Sequence, residues 1–187
     1  MARIKLMEME DVSPELQASY KETEERFELL LNIFKAWGVV ENLALPMNQL
    51  IMEILKDGEV DWKTKELLIL KSTLENECEY CVTQHEVVSR RLGIPDEKVA
   101  DLKGDTYKTS PHFTDAERVI LDLTMQIRTD ANKVSSKLWD SIMEHWTEKQ
   151  AVEIVYVITT YIMVSKFGDA LHVELEPVFS GLDTQLI

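Results

Sequence analysis

The chain has 187 residues, with 20 Lys and Arg against 34 Asp and Glu, a formal net charge of −14. That balance leaves no basic face for phosphates or anionic headgroups, which argues against nucleic-acid binding and electrostatic membrane docking. Apolar residues make up 45%, enough for a sizeable core, while only 6 Gly and 5 Pro point to a few long helices rather than many turns.

The first ten residues hold no apolar run and do not read as a secretory signal. Ser13-Pro14-Glu15 marks a helix start, with a Ser cap, Pro at the first helical position and an acid in the first turn. Leu16, Tyr20, Phe27, Leu30, Leu31 and Phe34 follow at helical spacing. A second helix is predicted over residues 46–57, from Pro46 to a stop at Gly58. Asp61 is placed to cap a third, carrying Glu66, Leu67, Leu70 and Leu74.

Asn76 is expected to cap the next helix, with Glu79 reaching back in a variant capping box. Leu92-Gly93-Ile94-Pro95 ends it. Residues 95–104 hold room for a short helix, and residues 103–111 read as a polar loop. Thr114-Asp115-Ala116-Glu117 is a capping box, followed by one apolar face of Ala116, Val119, Ile120, Leu123 and Ile127. Ser135 caps a helix through Trp139 and Met143, and Thr147-Glu148-Lys149-Gln150 opens another.

That last helix, predicted over 151–166, is apolar on nearly every side and reads as buried at the centre of the fold or of an oligomer. Its longest apolar stretch, 154–164, is broken by Thr159 and Thr160 and falls short of the roughly 20 residues of a bilayer span. No segment alternates as a strand. The expectation is an all-α fold in a single domain over 1–187, with a core at about 42–95 and a second helical hairpin at about 113–175. A faint echo between Lys65-Glu66-Leu67-Leu68-Ile69-Leu70 and Val152-Glu153-Ile154-Val155-Tyr156-Val157 carries little weight.

Cys78 and Cys81 are the only two cysteines. With no targeting signal the default location is cytoplasmic, where a CxxC pair is redox-active or metal-binding rather than a structural staple. Cys78, Cys81 and His85 stand at i, i+3 and i+7, one helical face that continues through Val88 and Leu92. A helix N-terminus favours a thiolate, and an imidazole one turn on takes up its proton. A peroxide reductant needs these parts: an attacking thiolate, a second thiol to resolve the sulfenic acid, and a proton source for the leaving oxygen. Two other readings stay open. The cysteines are apolar core filler, or they bind zinc with His85 and a carboxylate. Taken alone, Glu66 reads as a solvated first-turn acid.

Glu66, eleven residues, Cys78-Glu79-Tyr80-Cys81, three residues and His85 together resemble the E-x11-CxxC-x3-H signature of alkylhydroperoxidase D-like proteins in the carboxymuconolactone decarboxylase family. The flanking Glu66-Leu67-Leu68-Ile69-Leu70 and Gln84-His85-Glu86 through Arg91-Leu92-Gly93-Ile94-Pro95 are similar too. Phe113-Thr114-Asp115-Ala116-Glu117-Arg118 and Phe167-Gly168-Asp169-Ala170-Leu171 resemble the second half of the longer, peroxidase-related branch.

The resemblance implies an all-α helical bundle that assembles as a homo-oligomer, a trimer or hexamer. It implies a thiol peroxidase in which Cys81 attacks the peroxide, Cys78 resolves it, and Glu66 and His85 relay protons. The helix-terminus argument alone would instead make Cys78 the more acidic thiol. The implied partners are a small hydroperoxide and a dithiol donor such as a lipoyl or thioredoxin-like protein, with no cofactor and no metal. Tyr80 stands where the best-studied members have His; its hydroxyl can donate a hydrogen bond but does not titrate near pH 7. Tyr80 also motivates an alternative, a thiol-disulfide carrier or redox sensor without peroxidase activity. The family's decarboxylase members lack the CxxC, so lactone decarboxylation is not expected. His112, His145 and His172 share no spacing, Trp37, Trp62, Trp139 and Trp146 read as core or subunit contacts, and the acidic runs at 8–11 and 22–25 read as solvated surface.

Overall fold

A computed structural model describes residues 2–179. Among these residues the structure is helical and contains no strand. Helix α1 (Pro14–Phe27) starts where the Ser13 hydroxyl accepts the Leu16 N–H at 3.4 Å. It does not carry on through Phe34. Glu28 takes a left-handed conformation (φ 61°), the chain turns, and α2 (Asn32–Trp37) begins. The turn lets Phe27 and Phe34 stack with ring centroids 6.1 Å apart, a contact that a straight helix would not give.

Helix α3 runs Glu41–Ile54, five residues earlier than predicted at its start and three at its end. Its start is fixed by a tertiary contact, the Ser13 N–H donating to Glu41 Oε1 at 3.0 Å. Pro46 lies inside the helix and forgoes one backbone bond rather than opening it. Helix α4 (Trp62–Glu75) is capped by Asp61 as expected, its Oδ1 accepting from the Thr64 N–H at 2.9 Å.

The junction before the cysteines differs from expectation. Asn76 ends α4 instead of starting the next helix, and its side-chain oxygen accepts from Arg128 Nε at 3.1 Å. Glu77 turns left-handed (φ 57°) and the Cys78 N–H donates back to the Thr73 carbonyl at 3.1 Å. The N-cap of α5 (Glu79–Arg91) is Cys78 itself, whose Sγ accepts the Cys81 N–H at 3.4 Å. The tight reversal consumes Asn76 and Glu77, so the cap falls two residues later.

Helix α5 ends at Gly93 (φ 67°), as its sequence predicts, and short α6 (Asp96–Ala100) follows. Within the stretch read as a polar loop, Tyr107 is fully buried, because Lys71 Nζ sits 4.7 Å over its ring and its hydroxyl donates to Asp122 at 2.6 Å. Helices α7 (Asp115–Asp130), α8 (Ser136–Met143) and α9 (Glu148–Leu171) start at the predicted caps, Thr114, Ser135 and Thr147.

The helix enclosed at the centre is α4, packed by α5, α7 and α9, with every residue from Lys65 to Thr73 buried. Two lysines are buried in it with partners: Lys65 on Glu153 Oε1 (2.9 Å) and Lys71 on Glu75 Oε1 (2.7 Å) and the Leu102 carbonyl (2.9 Å). Within the single chain α9, expected to be buried at the centre of the fold or of an oligomer, leaves Val152, Tyr156 and Met163 exposed at 48%, 58% and 41%. By length and composition α9 is long and apolar enough to cross a membrane, and half of its most apolar window is buried inside the fold. It ends at His172 in a left-handed cap, and residues 173–179 return across α5 and α2.

Candidate active site

Four parts of the fold meet at the cysteine pair. Helix α4 contributes Glu66, α5 contributes Tyr80, Cys81, Gln84 and His85, α9 contributes Tyr161 and Ser165, and the segment 173–179 contributes Glu176 and Phe179. Glu66 is wholly buried. His85 donates its Nδ1–H to Glu66 Oε1 at 2.7 Å, which leaves Nε2 as the ring nitrogen with a free lone pair. The second carboxylate oxygen, Oε2, is buried with no hydrogen-bond partner among the described residues. The solvated reading of Glu66 is therefore replaced: Glu66 lies in the enclosed stretch of α4, where every residue from Lys65 to Thr73 is buried. The edge of Tyr161 packs on the His85 ring, centroids 4.9 Å apart.

The two thiols are free and their sulfurs lie 2.7 Å apart. Cys81 and His85 line a cavity of about 100 Å³, several times what one water molecule needs. Apolar side chains form most of its wall, including Phe27, Phe34, Trp37 and Val164, and Tyr161 and Phe179 also border it. Cys78 and Glu66 do not line the cavity, and each sits behind the partner that does. The structure thus forms two pairs, Cys78 with Cys81 and Glu66 with His85. They share one cavity and have no direct thiol–imidazole hydrogen bond among the described residues.

The Cys81 thiol is pushed well above the usual thiol range, first by the hydrogen bond in which it keeps its proton toward Cys78 and then by burial, with the Ser165 hydroxyl pulling the other way. An anion on one sulfur keeps the proton on the other. Tyr80 is engaged elsewhere than the thiols. Its hydroxyl accepts the Ile33 N–H at 3.0 Å and donates to Glu176 Oε1 at 2.8 Å. Burial, and then the charge of Glu176, hold the phenol well above its ordinary range, so it stays a donor. Gln84 donates to Glu176 Oε2 at 2.9 Å, and the Asn32 N–H also donates to this carboxylate.

Glu176, Tyr161 and Ser165 have no counterpart in the sequence reading. Glu176 lies 96 residues from Tyr80, beyond the reach of spacing arguments, and Ser165 and Tyr161 look like ordinary members of an apolar helix. Among the described residues no group of three or more His, Cys, Asp or Glu side chains is arranged to hold a metal, so the zinc reading finds no fourth ligand there.

The helical bundle has the alkylhydroperoxidase D-like all-α fold. Residues 42–124 match the model of the carboxymuconolactone decarboxylase family. Among solved structures it is similar to the alkylhydroperoxidase AhpD core of an uncharacterized peroxidase-related protein from Ralstonia eutropha JMP134. That pair has a TM-score of 0.84 and 16% identity, over 95% of this chain and 94% of that one. It is also similar to a variant of the debrominase Bmp8 in complex with 2,3,4-tribromopyrrole, with a TM-score of 0.83 and 17% identity over 100% of both chains. At such identities the likeness is one of fold. In sequence, the uncharacterized protein YdfG of Bacillus subtilis (strain 168) is 24% identical over 104 residues, 55% of this chain and 69% of that protein.

Proposed function

We propose that the protein is a thiol-dependent hydroperoxidase that cycles Cys78 and Cys81 between dithiol and disulfide. The observation that carries this reading is that Cys81 and His85 face one cavity, each backed at 2.7 Å by its partner, Cys78 or Glu66. Cys81, as the sulfur on the cavity, attacks the peroxide. The Cys81 thiol passes its proton to Nε2 of His85, which Glu66 orients; an S–O bond forms, the O–O bond breaks, and the leaving alkoxide takes that proton back from Nε2. Cys78 then attacks the sulfenic acid, so that the S–S bond forms and water leaves. A dithiol donor returns two electrons and two protons. The apolar wall favours an organic hydroperoxide over hydrogen peroxide.

In the test, Cys81→Ser abolishes hydroperoxide-dependent oxidation of a dithiol donor. Wild-type turnover by that variant would defeat the reading. A second reading, a thiol-disulfide carrier or sensor, draws support from the raised Cys81 thiol, which opposes a ready thiolate. The two separate on the rate of sulfenic acid formation with an organic hydroperoxide, because a carrier forms it no faster than free cysteine does.

A further inference from the structure

A disulfide at this site is closed to a large reductant. Cys78 is 0% exposed and Cys81 3%, and Phe179 of the returning segment helps wall the cavity that Cys81 faces. Thiol-disulfide exchange requires the incoming sulfur to reach one sulfur of the pair directly, and a protein thiol cannot do so here without movement.

The partition is Tyr80. It lines the cavity and also an open surface hollow of about 500 Å³, whose rim includes Glu77, Glu79 and Asp169. What holds it is Glu176, a buried carboxylate on the returning segment that accepts from Tyr80 Oη, Gln84 Nε2 and the Asn32 N–H. Asn32 also donates its side-chain Nδ2 to the Glu174 carbonyl at 3.0 Å. These bonds are to groups that water can satisfy when the segment lifts, so opening exposes polar atoms to solvent rather than stranding them.

We infer that Glu176 and Tyr80 form a gate between the hollow and the cavity, through which the reducing dithiol reaches the Cys78–Cys81 disulfide. The inference rests on the dithiol cycle proposed above. With the gate open, the donor thiolate attacks one sulfur, a mixed disulfide forms, and the other sulfur leaves as thiolate. The donor's second thiol then displaces the mixed disulfide. The donor departs oxidised, and the protein pair has gained two electrons and two protons. Glu176 is a positioning residue in this scheme, acting through Tyr80. The acidic rim makes the matching donor a neutral or basic-faced dithiol rather than an anionic one.

The test uses the full chain oxidised with diamide, so no peroxide is involved, and follows reduction by dithiothreitol and by thioredoxin through alkylation and mass analysis. Tyr80→Phe raises the rate constant with thioredoxin about tenfold, the shift in open population expected for losing one hydrogen bond to a carboxylate, and Glu176→Ala, which removes three, raises it at least as much. The gain with dithiothreitol is smaller. The double variant is no faster than Glu176→Ala alone, and the midpoint potential of the disulfide stays at its wild-type value. A Tyr80→Phe rate within twofold of wild type overturns the gate, as does acceleration accompanied by a shifted potential. Tyr80→Phe keeps the ring and the fold, so it alone decides between these outcomes if Glu176→Ala does not fold. Protein that is reduced through the gate yet inert to hydroperoxide would sink the peroxidase reading and leave the gate standing.

Discussion

His85 on α5 donates its Nδ1–H to Glu66 on α4 across 2.7 Å, tying the helix that carries the cysteines to the most enclosed helix of the fold. The bond fixes the tautomer and holds the free Nε2 at the cavity wall. Glu66→Gln keeps the shape and removes the carboxylate that accepts from Nδ1 and orients the ring. Turnover with an organic hydroperoxide is expected to fall about 100-fold, the lower end of what a positioned acid–base group contributes. Steady-state kinetics check this, and a loss of less than threefold would remove Glu66 from the chemistry.

Cys78 raises the thiol of Cys81, through its hydrogen bond and its charge. A raised thiol has a smaller thiolate fraction at any given pH, so in wild type Cys81 gains reactivity only as pH climbs beyond the usual thiol range. Cys78→Ser removes the competing sulfur and keeps a good helix cap. Its iodoacetamide labelling profile at Cys81 therefore shifts to lower pH. With hydroperoxide the same variant stops at the sulfenic acid, which dimedone traps. An unshifted labelling profile would contradict the coupling.

Lys65 is fully buried against Glu153, whose other oxygen accepts the Val60 N–H at 2.7 Å. Glu153→Ala strands a buried cation and a backbone donor together, and about 3 kcal/mol of stability should go with them. Urea unfolding measures it. Adding Lys65→Met restores most of the loss, since the stranded charge rather than the missing contact dominates. A loss under about 1 kcal/mol would show that the lysine escapes to water.

Glu86 is buried, one carboxylate oxygen has no partner among the described residues, and burial raises its pKa against the pull of Arg90. A carboxyl raised in the fold contributes stability below its unfolded value of about 4.3, and that contribution is lost as pH rises through the folded value. Glu86→Gln does not titrate. The Tm of the variant should match wild type near pH 4 and exceed it at pH 8. Parallel Tm curves across that range would refute the shift.

Helix starts were legible wherever the signal was local. Ser13, Asp61, Thr114, Ser135 and Thr147 each accept a backbone N–H within their own first turn. Starts and stops set by tertiary contact were not. Glu41 opens α3 because it binds the Ser13 N–H, and Asn76 is drawn off by Arg128, so the cap passes to Cys78. At the site, the spacing of Cys78, Cys81 and His85 on one helix is written in the chain. The depth of Glu66 is not, because hydropathy assigns a lone acid to water and only the packing of three neighbouring helices encloses it. Glu176 reaches Tyr80 by a return of the chain that no periodicity encodes.

The central position of α4 divides the site into parts of unequal freedom. Glu66, the acid of the proposed proton relay, lies in the enclosed stretch of α4, where a changed residue disturbs several helices at once. The far wall of the cavity is a tail held by a few polar bonds, where Phe179 and its neighbours can be exchanged with small consequence for the bundle. On the proposed cycle, cavity size is then free to drift through the tail while the proton relay stays in α4, a division of labour in which one scaffold takes different small substrates around the same pair of sulfurs.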